Sequence, residues 1–241
     1  MDTDVLKVTG DPMGAAIYDF HKTGKAEVLV VRSSMFDDDE IPVEDLFRTY
    51  DDMPELERIA LDMAEGDILD VGAGSGCHSL ALWSMGKKSV AIDISPLSVE
   101  VMKERGVDAR KVNFYDESFA DRFDTVLMLM NGTGIIGTLD NMPAFFNRVR
   151  SLLKPGGSVL VDSSDLRFLF EEEDGSLMID LADDYYGQID YQMVYKDIEG
   201  EPFDWLYVDF ETLAFYAEEN GFKAELVAEG EHYDYLARLS C

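Results

Sequence analysis

The sequence is short of positive charge. Against 50 acidic residues stand 20 basic ones, a formal net charge of −30 over 241 residues. Phosphate backbones are held by clustered Lys and Arg, and the densest basic stretches are Lys103-Glu104-Arg105 and Arg148-Val149-Arg150. Both read as solvated helix faces, so the charge argues against nucleic acid as a partner. Cysteine is scarce too. Cys77 and Cys241 are the only two, which excludes a disulfide framework. No apolar run approaches the ~18 residues of a membrane-spanning helix. The opening Met1-Asp2-Thr3-Asp4 lacks the basic and apolar regions of a secretory leader. These absences lead us to expect a cytoplasmic, acidic protein. Aspartate outnumbers glutamate and lysine is sparse, which fits either a salt-adapted host or an ordinary soluble acidic protein.

What is present is a glycine turn. Ile68-Leu69-Asp70-Val71 is a short apolar run ending on an aspartate, and Gly72-Ala73-Gly74-Ser75-Gly76 breaks it. Cys77-His78-Ser79-Leu80-Ala81-Leu82-Trp83 then reads as a helix start. Strand, glycine turn and helix is how a doubly wound sheet opens a nucleotide site. Glycines allow the sharp turn and let a ligand approach the backbone without a Cβ in the way. The spacing is G-x-G-x-G rather than the G-x-G-x-x-G of the dinucleotide fingerprint. Asp70 stands at the strand end, where a pyrophosphate would meet a like charge at close range. The loop suits a ligand carrying positive charge, and a sulfonium nucleoside with a free amino group fits that description.

On these residues the chain resembles the class I S-adenosylmethionine-dependent methyltransferases. Ile68–Gly76 is similar to the first motif of that family, and Val90-Ala91-Ile92-Asp93-Ile94-Ser95-Pro96 to the second. Phe123-Asp124-Thr125-Val126-Leu127-Met128 and Leu153-Lys154-Pro155-Gly156-Gly157-Ser158-Val159-Leu160 are similar to its fourth-strand and fifth-strand motifs. Order and spacing agree over roughly residues 55 to 165. The resemblance implies S-adenosylmethionine as cofactor and leaves the methyl acceptor open. It implies an α/β fold, a Rossmann-like, doubly wound, mostly parallel seven-stranded sheet with a reversed strand.

Local patterns place the elements. Ala15–Phe20 and Glu27–Val31 are β-prone around the turn candidate His21-Lys22-Thr23-Gly24-Lys25, which predicts a first hairpin. Asp37-Asp38-Asp39 reads as a solvated loop rather than a metal site, because metal ligands usually converge from separated positions. Val43–Asp51 and Pro54–Ala64 read as helices, the second with Leu56, Ile59, Ala60 and Met63 on one face. Strands are expected at Asp67–Val71, Ser89–Ile92, Lys111–Phe114, Asp124–Met130 and Ser158–Asp162, with helices at Cys77–Met85, Pro96–Lys103 and Met142–Leu153 between them. That alternation implies parallel strands. Asp165–Gly187 reads as helix and loop, with Glu171-Glu172-Glu173-Asp174-Gly175 at a solvated turn. Gln188–Lys196 and Phe203–Val208 predict a second hairpin, Phe210–Asn220 a helix, and Phe222–Ala228 and His232–Leu239 the closing strands. We therefore expect one domain over 1–241: an extension with a hairpin over 1–50, a cofactor core over 51–165, and a C-terminal part over 166–241 with the hairpin 188–208 inserted.

Ligands of open α/β sheets lie outside the carboxyl ends of the strands. There Asp70, Gly72 and Gly74 are expected around the methionine part of the cofactor. Asp93, nineteen residues after Gly74, is expected on the ribose diol, since a carboxylate accepts two hydroxyl hydrogen bonds. Ile94 is expected against the adenine. Asp116 is a candidate acceptor for the adenine amino group, with Glu117 competing and loop-capping as the alternative. Asn131 falls where the family places residues between cofactor and acceptor. The stretch Asn131-Gly132-Thr133-Gly134 departs from the Asn-Pro-Pro-aromatic motif of many amine-methylating members, so no amine acceptor follows from it. Asp162, in Asp162-Ser163-Ser164-Asp165, either lines the acceptor pocket or caps the next helix.

No catalytic base is identifiable. His78 reads as a structural first-turn residue rather than a base, His21 falls in the predicted hairpin tip, and His232 near the sheet edge. The expected activity is methyl transfer to a small-molecule acceptor. A nicotinamide oxidoreductase and a cofactor-binding protein without activity remain as alternatives. In the second hairpin Tyr191, Met193 and Tyr195 alternate on one arm, and Phe203, Trp205 and Tyr207 on the other. Period two puts each set on one face. An isolated hairpin is marginal in water, so the two hairpins are expected to join in an accessory sheet with its aromatic face toward the acceptor. Separate packing on the core, or a homodimer contact, are the alternatives.

Overall fold

The computed structural model describes residues 4–170 and 184–241. Its centre is a seven-stranded sheet. The strands are β3 (Asp67–Val71), β4 (Lys88–Asp93), β5 (Ala109–Lys111), β6 (Phe123–Met128), β7 (Leu153–Ser164), β11 (Lys223–Glu229) and β12 (Asp234–Ser240), in the order β11-β12-β7-β6-β3-β4-β5. β3 to β7 pair in parallel, and β12 runs antiparallel between β7 and β11. This is the expected mostly parallel sheet with its reversed strand.

Both faces of the sheet are covered, and the sequence alternation decides which side chain meets which layer. On β6, Val126 and Met128 join one core while Leu127 joins the other; on β7, Val159 and Val161 oppose Leu160 in the same way. The first core contains Phe145, Phe146 and Val149 of α5 (Met142–Leu152) and Leu213 of α6 (Phe210–Glu219). The second contains Leu56, Ala60 and Leu61 of α2 (Glu55–Met63) and Ala81 and Leu82 of α3 (Cys77–Ser84). Met63, expected on the buried face of α2, is exposed, and Leu61 takes that place. Among the described residues no helix is long and apolar enough to cross a membrane.

The N-terminal part departs from the sequence reading. Ala15–Phe20 is not a strand; it lies inside helix α1 (Pro12–Thr23). The start is fixed by Asp11, whose Oδ1 accepts from the Gly14 N–H at 2.9 Å, with Pro12 in the first turn. Both are strong start signals. The end is fixed by Gly24 in the left-handed region (φ 71°). β-propensity over six residues loses to caps at both ends and to burial of Ala16 and Ile17, each fully buried. Residues 43–51 form two short 3-10 turns, Val43–Phe47 and Tyr50–Asp52, in place of one helix. The third parallel strand begins two residues earlier than predicted. Of the stretch read as helix and loop, Leu166–Phe170 is a 3-10 turn, and Glu171–Gly175 lies outside the described residues.

A second, antiparallel sheet sits beside the first. It consists of β1 (Leu29–Arg32), β2 (Asp39–Ile41), β8 (Gln188–Tyr195), β9 (Ile198–Glu199) and β10 (Phe203–Leu206), ordered β10-β8-β1-β2 with β9 also on β8. The hairpin 188–206 forms as predicted, Phe203 opposite Tyr191 and Trp205 opposite Ile189. Its partner is β1, which pairs Leu29 with Tyr195 and Val31 with Met193. N-terminal and inserted strands thus share one sheet, although the N-terminal hairpin is β1–β2 and not Ala15–Val31. Helix α1 is wedged between this sheet and α4 (Pro96–Glu104). Its Ala16 packs with Leu29, Val43 and Tyr195, and its Ile17 with Leu46 and Val101.

Candidate functional site

The glycine loop joins β3 to α3, with Gly72, Gly74 and Gly76 all at positive φ (68°, 55° and 81°). A side chain there carries backbone strain. The N–H groups of Gly72 and Ala73 donate to the Ile92 carbonyl at 2.9 and 3.2 Å, tying the loop to β4. The Gly74 N–H donates to Asp93 Oδ2 and the Ser95 N–H to Asp93 Oδ1, each at 2.8 Å. Burial pushes the Asp93 carboxyl up to about 6 against these two bonds, with the charges of Asp11 and Asp70 adding to the shift. Asp93 is half-buried at the strand end, and Ile94 beside it is exposed.

Asp70 lies underneath the loop. It is 3% exposed, and its Oδ2 accepts from Ser79 Oγ of α3 at 2.7 Å. Burial raises its pKa. Asp70 thus braces strand against helix directly under the glycine loop. Next to it His78 is buried, its Nε2 2.7 Å from Glu57 Oε2, and Arg48 pairs with the same Glu57 from the other side. Burial works against the charge on Glu57, but the His78 and Arg48 hydrogen bonds outweigh it and leave its pKa lowered. His78 is therefore a member of a buried ion network, which supports the structural reading over the base. His21 sits on α1, 3.0 Å from Glu104, and His232 is exposed before β12.

Past the end of β6 the chain is strained. Met130 and Asn131 both have positive φ (66° and 58°), conformations that cost of order 1–3 kcal/mol each outside glycine. Asp162 on neighbouring β7 holds them. Its Oδ2 accepts from the Met130 N–H at 3.1 Å and its Oδ1 from the Gly132 N–H at 2.9 Å. Burial pushes the Asp162 carboxyl up to about 6. Asp162 thus fastens the loop that carries Asn131. Asn131 is half-buried, and its Oδ1 accepts from Ser164 Oγ at 2.8 Å.

The accessory sheet reaches this loop. The Trp205 ring lies so close over Gly134 that a Cβ there would fall within the indole. Phe203 meets Trp205 edge to face at 6.0 Å and Tyr191 at 6.3 Å. The Tyr191 and Tyr207 hydroxyls are 3.1 Å apart. Ile135 reaches from the same loop toward Gly72, its Cδ1 3.4 Å from the position of a Cβ there. Asp116 is half-buried beyond β5, and its Oδ1 accepts from the Ser118 N–H at 2.9 Å, so it caps its own turn; Glu117 is exposed.

The sequence reading missed the N-terminal contribution. Leu6 N–H donates to the Ile94 carbonyl at 3.0 Å, and Asn113 Nδ2 donates to the Asp4 carbonyl at 2.9 Å. Asp11 is fully buried, and Ser95 Oγ donates to its Oδ2 at 2.5 Å. Ile17 Cδ1 comes within 3.8 Å of the Cβ position of Gly74. The available signal was Asp11-Pro12, which marks a helix start.

Comparison with known proteins agrees with this fold. Residues 68–157 match the family model of a methyltransferase domain. A crystal structure of a SAM-dependent methyltransferase from Bacteroides fragilis in complex with S-adenosyl-L-homocysteine is 65% identical, with a TM-score of 0.95 over 100% of this chain and 98% of that chain. Among curated proteins, the cypemycin N-terminal methyltransferase of a Streptomyces species is 32% identical over 102 residues, 41% of this chain and 42% of that protein. The match thus spans about two fifths of that curated relative's length. The CcbJ methyltransferase of Streptomyces caelestis shares the fold, with a TM-score of 0.59 at 16% identity over 80% of this chain and 94% of that chain. By a match of 65% identity along its full length, and by its glycine loop and sheet order, the chain belongs to the class I S-adenosylmethionine-dependent methyltransferase family.

Proposed function

We propose that the chain binds S-adenosylmethionine across the ends of β3 and β4 and directs its methyl group to a small-molecule acceptor held beside the contact of the loop 130–137 with the accessory sheet. One observation carries the cofactor assignment: the Asp93 carboxylate stands beside Gly74 with one backbone N–H on each oxygen. A carboxylate oxygen has two lone pairs. Each oxygen therefore keeps one acceptor position, the demand of a ribose diol, and a carboxylate pushed up by burial gains from added donors. Gly72 and Gly74 leave the backbone bare for the methionine part, with Asp70 bracing the loop from below. Ile94 offers its side chain to the adenine, and Asp116 Oδ2 is the acceptor for the adenine amino group.

When bound, the cofactor supplies a methyl group already activated on sulfonium sulfur. What remains for the protein is to position the acceptor and exclude water. Asn131, held in its strained conformation by Asp162 and Ser164, presents its amide at the edge of the site. Tyr191, Phe203 and Trp205 provide apolar walls, as small-molecule sites usually have. The half-buried hydroxyls of Tyr191 and Tyr207 are polar groups within that wall. Calorimetric titration with S-adenosylmethionine, S-adenosylhomocysteine and NAD tests the cofactor half: the first two bind and NAD does not. Strong NAD binding with no heat from the sulfonium ligand would overturn it. Incubation with methyl-labelled cofactor and fractionated metabolites tests the acceptor half, with label expected in a small molecule.

A further inference from the structure

Asp11 is a carboxylate with no access to solvent and three partners, the third being the Leu97 backbone N–H in the first turn of α4. Its Oδ1 caps α1 through the Gly14 N–H at 2.9 Å, and its Oδ2 accepts from Ser95 Oγ at 2.5 Å. Ser95 in turn has three engagements. Its hydroxyl oxygen accepts from the Ser98 N–H at 2.9 Å, capping α4, its hydroxyl proton goes to Asp11, and its backbone N–H goes to Asp93 Oδ1. On the other side of the same carboxylate, Gly74 donates to Asp93 Oδ2, and Ile17 of α1 packs over Gly74. The residues before α1 continue the seat, with Leu6 bonded to the Ile94 carbonyl and the Asp4 carbonyl bonded by Asn113. The N-terminal segment therefore rests on the residues that border Asp93, and Asp11 within it is fully buried.

We propose that Asp11 is a positioning residue for the cofactor: through Ser95 it fixes the loop that presents Asp93, and by capping α1 it seats the N-terminal segment against the cofactor site. The proposal rests on the assignment of that site to S-adenosylmethionine. Chemistry makes the role specific to a carboxylate. The Ser95 hydroxyl already accepts from Ser98, so its proton needs an acceptor, and Asp11 Oδ2 is one. Asparagine at position 11 keeps the helix cap, since Asn and Asp cap about equally well. It cannot keep both the cap and the acceptor for Ser95: with its oxygen on Gly14, its amide nitrogen faces a hydroxyl that must turn.

The test is a double-mutant cycle on the full chain with S-adenosylhomocysteine as probe, read by calorimetry beside the melting temperature. Asp11→Asn is expected to weaken binding about tenfold, the scale of one hydrogen bond to a charged group, with a fall of a few degrees in melting temperature from the buried bonds it loses while the α1 cap persists. Ser95→Ala removes the same bond from the other end, so the double variant is expected to bind about as well as the weaker single variant. A residue that merely caps α1 would give effects on affinity that multiply. Multiplying effects, or unchanged affinity in Asp11→Asn, would overturn the proposal while leaving the cofactor assignment intact. Failure of the unmodified chain to bind the probe would instead overturn the cofactor assignment and the role of Asp11 with it.

Discussion

Asp93→Asn separates the stability cost of this carboxylate from its use. Burial raises the Asp93 pKa from its ordinary value of 3.8 to about 6. A shift of that size corresponds to about 3 kcal/mol at neutral pH. The sign follows from proton binding: between the two pKa values the folded state holds the proton and the unfolded state has lost it. Stability contributed by this group therefore falls as pH rises through that window. From pH 5 to pH 7 the single-site expression gives a loss of about 1.3 kcal/mol. Asparagine has no such dependence. It does pay a fixed cost, because its amide nitrogen must face the N–H of either Gly74 or Ser95, an unpaired donor worth about 1–3 kcal/mol. That cost shifts the variant at every pH and leaves the slope alone. The expected result is that the melting temperature of Asp93→Asn minus that of the unmodified chain becomes more positive by about 3–5 °C between pH 5 and pH 7. Affinity moves the other way: loss of a charged acceptor for the ribose weakens S-adenosylhomocysteine binding at pH 7 by about 10- to 150-fold. Scanning calorimetry at the two pH values and isothermal titration at pH 7 read both numbers. A difference in melting temperature that stays constant with pH, or an unchanged affinity, would refute the reasoning.

Three further outcomes are expected. Glu57→Gln leaves Arg48 and His78 buried with half their pairing and should lower stability by about 3–5 kcal/mol; denaturant unfolding measures it, and a loss under 1 kcal/mol counts against a structural network. Gly134→Ala drives a Cβ into the Trp205 ring and should displace the accessory sheet at about 1–3 kcal/mol, while S-adenosylhomocysteine affinity stays within about twofold. In a Trp83→Phe background, which removes the exposed indole, Trp205 emission should shift; no shift would mean that the sheet does not rest on this loop. Added salt should raise the melting temperature, because a net charge of −30 opposes compaction and 0.1 M salt screens it beyond about 10 Å; a value flat or falling up to 1 M is the contrary result.

Much of the core was legible in the chain because its determinants are local. Gly72, Gly74 and Gly76 must turn, Val126 and Leu127 must point to opposite faces, and Pro96 and Gly106 bracket a helix; each follows from neighbours a few residues away. The same holds for Asp93, whose distance from the glycine loop follows from the length of one helix and one strand. Helix α1 was also written locally, in Asp11-Pro12 and Gly24, but the β-prone run between them masked it. What tertiary structure alone decided is the pairing of distant segments and the use each carboxylate is put to. Leu29 pairs with Tyr195, a choice made by the apolar face of α1 that both must cover, which no local pattern specifies. Asp70, Asp93 and Asp162 all end or nearly end parallel strands, and the sequence assigns each a place without showing what its oxygens bond. Their neighbours in space make them different: a serine hydroxyl on Asp70, a strained loop on Asp162, and on Asp93 two backbone donors with an acceptor position left on each oxygen.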